Sequence, residues 1–242
     1  MREHHPAPDE TLTVLCQERL RLYQKKRAYR FSLDPILLAN FITLKGQERM
    51  LDIGTGCGII PIYMSSRYPH NPVIGVEIQK ELFDLAVRNL RLNGCENVQF
   101  LHGDIRAAAK SLSKPFHVVA SNPPYVKRDS GRRSPQASRY IARYESQLDL
   151  KSLLEVSASL LYPKGRLYLI YPAKRLTELI SLATSLGLEP RRLRLVHPRS
   201  NGPADLFLIE CMKDGGAELK VERPLYIFTD GEYTEEVASY YS

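Results

Sequence analysis

Short apolar runs and longer helical patterns take turns along the middle of the chain. Residues 49–56, Arg49-Met50-Leu51-Asp52-Ile53-Gly54-Thr55-Gly56, read as a buried strand ending in a glycine turn. A helix from Cys57 to about Tyr68 follows and is stopped by Pro69. Val73-Ile74-Gly75-Val76-Glu77 is a second short apolar strand. Residues 79–93 then set Leu82, Leu85, Ala86 and Leu90 on one helical face, with Gly94 as the C-terminal stop. Val98 to Leu101 predicts a third strand, running into His102-Gly103-Asp104. Phe116 to Ala120 predicts a fourth, running into Ser121-Asn122-Pro123-Pro124. Leu150, Leu153, Leu154 and Leu161 share one face of a helix over 147–161, and Leu167 to Ile170 is a fifth strand. Leu176, Leu179, Ile180 and Ala183 mark another helix, closed by Gly187; Leu193 to Val196 and Leu206 to Glu210 complete the strands.

Strands alternating with helices of this length imply a mainly parallel sheet covered on both faces. Ligands bind such sheets outside the carboxyl ends of the strands, where the strand order switches. Asp52 to Gly58, Glu77, Asp104 and Asn122 to Tyr125 all fall at such ends. That agreement outweighs any one motif. Upstream, Ser32 to Asp34 is placed to cap a helix carrying Leu37, Leu38 and Phe41. Residues 126–146, rich in Lys, Arg, Ser, Gly and Pro, read as a loop inserted after the fourth strand. Asp230-Gly231 is a turn signal in a tail with no functional reading.

Two sets of residues carry chemistry. Gly54-Thr55-Gly56-Cys57-Gly58 permits tight turning and close approach of backbone to a ligand. Its spacing is not that of a dinucleotide fingerprint, and no GKS or GKT follows, which excludes a P-loop. Asp52 precedes the turn, and Glu77 ends the next strand, where an acid accepts hydrogen bonds from both hydroxyls of a ribose. The plainer roles are helix capping: Glu77 for the helix from Gln79, Asp104 for a helix from Ile105. The second set is Asn122-Pro123-Pro124-Tyr125. Two prolines fix φ and remove two backbone donors, so nearby carbonyls face a ligand without competing N–H groups. An exocyclic amine on a planar base has its lone pair delocalised into the ring, and a carboxamide nitrogen has the same problem. Acceptors on its hydrogens, here the Asn122 side-chain oxygen and the Pro123 carbonyl, localise that pair, and Tyr125 stacks on the ring. A rigid turn alone explains the prolines but not Asn and Tyr beside them.

Composition is that of an ordinary globular chain, 43% apolar and 25% charged in 242 residues. No apolar run approaches the roughly 18–20 residues that span a bilayer, and Met1 to Pro6 has no apolar signal region. Cys16, Cys57, Cys95 and Cys211 are scattered, with no metal-ligand spacing, as expected of reduced thiols in a cytoplasmic protein. The net charge of +7 becomes informative once located. Residues 19–30 carry +6, 126–144 carry +5 and 191–199 carry +4, leaving −8 on the rest. Concentrated basic stretches on an otherwise acidic chain favour a nucleic-acid partner over solvated faces.

Asp52, the glycine turn, Glu77 and Asp104, in this order, resemble the class I methyltransferase family over residues 30–212. The resemblance implies an α/β, Rossmann-like sheet, mainly parallel with a C-terminal antiparallel strand and helices on both faces. It implies S-adenosylmethionine as cofactor. Asp52, Gly54, Gly56 and Gly58 would lie at its methionine and ribose part, Glu77 at the ribose hydroxyls, and Asp104 at the adenine amino group, with Ile105 beside the ring and Asn122 also in contact. Enzymes that methylate amines often fold an upstream segment over the cofactor, which assigns Phe31 and Asp34 to its pocket. In this family, the tetrapeptide makes Asn122, Pro123 and Tyr125 the catalytic set for a planar amino nitrogen. Arg30 to Ala39, the glycine turn, the helix over 79–93, the segment His197-Pro198-Arg199 through Glu210 and the tail from Leu225 to Thr234 together look like the bacterial methyltransferases that act on N6 of adenine 37 in a valine tRNA. The likeness implies a tRNA partner lying on the three basic stretches, with Arg128, Arg132 and Arg133 at phosphates, and no metal or membrane. The rivals are a methyltransferase of a release-factor glutamine, a ribosomal RNA guanine-N2 enzyme, and a non-catalytic RNA-binding protein of the same fold. The expected organisation is a basic, cofactor-covering segment over 1–45, the methyltransferase domain over 46–213 and a tail over 214–242.

Overall fold

A computed structural model describes residues 6–15, 20–26, 33–112, 115–124 and 148–241. The first described elements form an antiparallel hairpin, β1 (Glu10–Leu15) and β2 (Leu20–Lys25). Helix α1 (Asp34–Phe41) then leads into β3 (Met50–Ile53), whose four residues are all buried, as a central strand covered on both faces requires. The alternation expected from the sequence follows: α2 (Ile59–Arg67), β4 (Val73–Glu77), α3 (Lys80–Asn93), β5 (Val98–His102), the short α4 (Ile105–Ala108), β6 (Phe116–Ser121). Next come α5 (Leu150–Leu160), β7 (Leu161–Pro172), α6 (Leu176–Ser185), β8 (Leu188–Arg199) and β9 (Leu206–Lys213).

The strands order as β5-β4-β3-β6-β7-β9-β8, then β11 (Leu225–Thr229) and β12 (Glu232–Tyr233). β10 (Lys220–Val221) also pairs with β8. The five strands from β5 to β7 are mutually parallel, and β9 runs antiparallel between β7 and β8. The chain steps outward from β3 to β4 and β5, returns to β6, and steps the other way to β7. Right-handed crossovers therefore place α2 and α3 on one face and α5 and α6 on the other. α1 packs on α2, and α5 on α6, closing both faces over a core that includes Leu51, Val119, Leu169 and Ile209. The switch in strand order falls between β3 and β6, where Ile53 pairs with Ser121.

Three features differ from the sequence pattern. The basic segment near residue 20 contains a hairpin, docked on α3. β7 and β8 each run 12 residues, because the ladder to β9 lengthens both while β6 pairs the start of β7 at Leu161 and β11 the end of β8 at Arg199. The tail is part of the sheet. β11 adds parallel to β8, and Asp230 and Gly231, at φ 52° and 90°, make the two-residue turn to β12. Helix α7 (Glu235–Ser239) follows, capped by Thr234, with Val237 buried.

Candidate active site

The carboxyl ends of β3, β4 and β5 frame an open cleft lined by Ile53, Gly54, Val76, Ile78, Gly103, Asp104, Ile105 and Leu148. One wall is the glycine turn. Gly54, Gly56 and Gly58 all have positive φ, so the chain reverses within five residues and enters α2. The three glycines have different tasks. Gly54 lines the cleft. The Gly56 amide donates to Glu77 Oε2 at 2.9 Å. Gly58 turns inward, where an added Cβ would sit 2.6 Å from the Phe100 ring.

Two acids lie beneath the turn. Asp52 is fully buried, and neither carboxylate oxygen has a hydrogen-bond partner among the described residues. Burial, opposed by the nearby Thr55 hydroxyl and reinforced by the charge of Glu77, pushes its pKa up to about 7. Glu77 is also buried, and burial raises its pKa against the opposing pull of the Gln79 and Gly56 amides. Its Oε1 accepts from the Gln79 amide at 2.9 Å, which holds the turn leading into α3; the helix itself has no side-chain cap, so the capping role expected of Glu77 is not what it performs. One lone pair on each oxygen remains for a ligand hydroxyl. Asp104 combines two roles. It accepts from the Arg106 amide at 2.8 Å, capping α4, and stands on the cleft wall. Its hydrogen bonds with Arg106 hold its carboxyl below the usual range, so it remains an acceptor at neutral pH.

On the acceptor side, Ser121 is buried, and its hydroxyl donates to the Ile53 carbonyl at 2.8 Å. This bond ties the end of β6 to the end of β3 one residue before the glycine turn. Asn122, half-buried, and Pro123, buried, follow directly, so the acceptor turn is anchored beside the cofactor turn.

The cleft thus gathers Gly54, Asp104 and Ile105, with Asp52, Gly56 and Glu77 directly behind it. Asp34 is buried on the first turn of α1 and is not on the cleft wall; its charge, after burial and Tyr233, helps raise the Tyr241 phenol. Phe31, Tyr125, Arg128, Arg132 and Arg133 lie outside the described residues. Sequence reading missed Ile78, Leu148 and Ser121. Ile78 was signalled by its place after Glu77, whereas Leu148 comes to the cleft only through the start of α5.

The third basic stretch is largely neutralised. Arg191 pairs with Glu218 at 3.2 Å, Arg192 with Glu210 at 2.9 Å and Glu222 at 2.8 Å, and Arg194 with Glu236 at 2.6 Å. Lys25, in the first stretch, pairs with Asp9 at 2.9 Å and Glu10 at 3.2 Å. These cations hold the tail and the hairpin. Among the described residues, no group of three His, Cys, Asp or Glu is arranged to hold a metal, and no helix is long and apolar enough to cross a membrane.

S-Adenosylmethionine fits this donor set. Burial raises the pKa of Asp52 and of Glu77 under the turn, and a cationic cofactor beside them would favour their ionised forms, so acids and cofactor are electrostatically matched. Ile78, Ile105 and Leu148 supply apolar walls for a flat ring, and Asp104 an acceptor at their edge.

Comparison with known proteins agrees with the geometry. The profile of the methyltransferase small domain family matches residues 34–187. A tRNA1(Val) (adenine(37)-N6)-methyltransferase of Tolumonas auensis is 32% identical over 217 residues, covering 88% of each chain. A protein of the same name from Porphyromonas gingivalis is 32% identical over 199 residues, covering 81% of this chain and 75% of that one. Among solved structures, a predicted O-methyltransferase of Agrobacterium tumefaciens superposes with a TM-score of 0.69 at 22% identity, covering 86% of this chain and 94% of the other; at that identity the likeness is one of fold. The chain belongs to the methyltransferase small domain family and is an S-adenosylmethionine-dependent methyltransferase.

Proposed function

We propose that this protein methylates N6 of an adenine in tRNA, at position 37. The observation that carries the reading is the placement of Asn122 and Pro123 at the end of β6, tied by Ser121 to β3 beside the glycine turn. The names of the relatives that match over most of the chain support the choice of tRNA and position. When bound, S-adenosylmethionine supplies an electrophilic methyl group on a sulfonium, which is a good leaving group. The chain binds and orients. Glu77 would receive the ribose hydroxyls, and Asp104 would accept from the adenine amino group of the cofactor. Asn122 Oδ1 and the Pro123 carbonyl accept the two hydrogens of the target amine, turning its lone pair toward the methyl group. Half-burial of Asn122 lessens competition from water for that bond. Once methylated the nitrogen is cationic and strongly acidic, so it gives its extra proton to water, and positioning and fixed dipoles supply the rate without a strong base.

Residues 46–213 are assigned the chemistry, 1–45 the covering segment, which includes Phe31 and Asp34, and 214–242 a tail that braces the sheet. Tyr125 is assigned to stack on the target base, and Arg128, Arg132 and Arg133 to meet phosphates. The enzyme is expected to act in the cytoplasm, where its substrate is. The test incubates the protein with labelled cofactor and, separately, total tRNA, ribosomes and release factor. Label in N6-methyladenosine from tRNA is expected. Label in a glutamine or in ribosomal guanine would overturn the adenine reading. Asn122→Ala should abolish transfer while cofactor affinity stays within twofold.

A further inference from the structure

The hairpin β1–β2 does not join the main sheet, yet the outer edge of β2 has partners. Asn93 Oδ1 accepts from the Arg21 amide at 2.9 Å, and Asn93 Nδ2 donates to the Arg21 carbonyl at 2.7 Å. Four residues earlier on α3, Asn89 Oδ1 accepts from the Tyr23 amide at 2.7 Å, and Asn89 Nδ2 donates to the Tyr23 carbonyl at 3.1 Å. The spacings match. Four residues of helix rise about 6 Å, and two residues of strand advance about 6.5–7 Å. Two side-chain amides on one face of a helix therefore stand in for a neighbouring strand.

The inner rung does more than dock the hairpin. Asn89 is fully buried, and its second N–H donates to the Cys57 carbonyl at 2.9 Å. Cys57 lies between Gly56, whose amide holds Glu77, and Gly58, which opens α2. One amide thus spends both donors and an acceptor on joining the hairpin to the glycine turn. The outer rung touches no part of the turn. The Arg88 guanidinium reinforces the dock, bonding Glu10 of β1 at 2.7 and 2.9 Å and lying over the Tyr23 ring.

We propose that Asn89 is a positioning residue for the cofactor site: docking of the N-terminal hairpin and the shape of the glycine turn are set together through its amide. The proposal rests on the reading that the cofactor lies against this turn. Coupling of this kind is reciprocal. A ligand that favours the ordered turn must favour the docked hairpin by the same factor.

The test uses the full chain and S-adenosylhomocysteine as probe. Affinity is measured by calorimetry and exchange of the Tyr23 amide by hydrogen–deuterium exchange. Saturating ligand should slow exchange at Tyr23 about fivefold or more in the wild type. Asn89→Ala should weaken ligand binding about tenfold, leave kcat at saturating cofactor within twofold, and abolish the ligand effect on exchange. Asn93→Ala should speed exchange at Arg21 but leave ligand affinity within twofold. Asn89→Gln should recover part of the loss. If Asn89→Ala does not fold, the wild-type exchange experiment decides alone. Bound ligand with unchanged Tyr23 exchange overturns the coupling and leaves the cofactor reading standing. Failure of the wild type to bind the ligand at all overturns the cofactor reading itself.

Discussion

Gly58→Ala tests whether the last glycine of the turn is there for the ligand or for the interior. Gly58 sits at φ +86°, and a Cβ built on it lies 2.6 Å from Phe100 Cζ and 3.2 Å from the Ala86 methyl. Gly94 provides the control, since it also has positive φ, +60°, but an added Cβ meets nothing within 4 Å. Left-handed backbone costs a residue with a Cβ about 1–2 kcal/mol, a term common to both positions. Crowding of a packed core adds about 1–3 kcal/mol, a term for Gly58 alone, because Phe100 is buried between β4 and the glycine turn. Gly58→Ala should therefore cost about 2–5 kcal/mol against about 1–2 for Gly94→Ala. At about 2–4 °C per kcal/mol for a chain of this size, the melting temperature should fall by roughly 4–20 °C at Gly58. Urea unfolding of the two variants, read as midpoint and slope, measures the difference. Adding Phe100→Leu to Gly58→Ala makes room for the new methyl and should return about 1 kcal/mol relative to the sum of the single changes. Equal losses at Gly58 and Gly94, or strict additivity with Phe100→Leu, would refute the packing account and return Gly58 to the ligand.

The buried Asp52 predicts a pH dependence in the ligand-free protein. Its pKa is raised to about 7 in the fold, so the folded state holds a proton that the unfolded chain releases above about pH 4. Its contribution is complete below that value, declines as pH rises and levels off above about 7. Asp52→Asn, which mimics the protonated form, should be more stable than wild type at pH 8 by about 2–3 kcal/mol more than at pH 5; a pH-independent difference in denaturant unfolding would remove the buried-acid account. Arg194→Ala, which deletes the bidentate pair to Glu236, should speed amide exchange across Leu225 to Thr229. It should leave tRNA affinity and its salt slope unchanged. Arg132→Ala with Arg133→Ala should instead lower that slope by about 2 in filter binding at graded salt, and a loss of slope at Arg194 would mean that the paired arginines serve RNA after all.

The central alternation was legible because each strand end carries its own chemistry. Asp52, Glu77, Asp104 and Asn122 follow short apolar runs, and the parallel topology brings those run ends to one edge. What escaped was set by distant partners. Asn89 and Asn93 look like ordinary polar positions on an amphipathic helix, since the strand edge they satisfy lies 66 and 72 residues away in sequence. Counting charge in windows counted Arg192 and Arg194 as free cations, because Glu210, Glu222 and Glu236 reach them across strands or from α7. Leu148 belongs to the cleft through the tertiary path of the chain into α5, and no local pattern marks it.

The tail also decides how the sheet ends in solvent. An open strand edge is a template for other chains, and the risk grows with its length and flatness. Without β10 and β11, the 12-residue β8 would present such an edge along its whole span. With them, the stretch of β8 from Arg192 to Arg199 gains neighbours, and the new border ends in β12, a strand of two residues with Glu232 in it, and in the two exposed residues of β10. Those are too short and too charged to recruit a partner. A chain cut after Lys213 should keep its parallel half intact yet scatter light on standing, as β8 finds in another molecule the neighbour it lost.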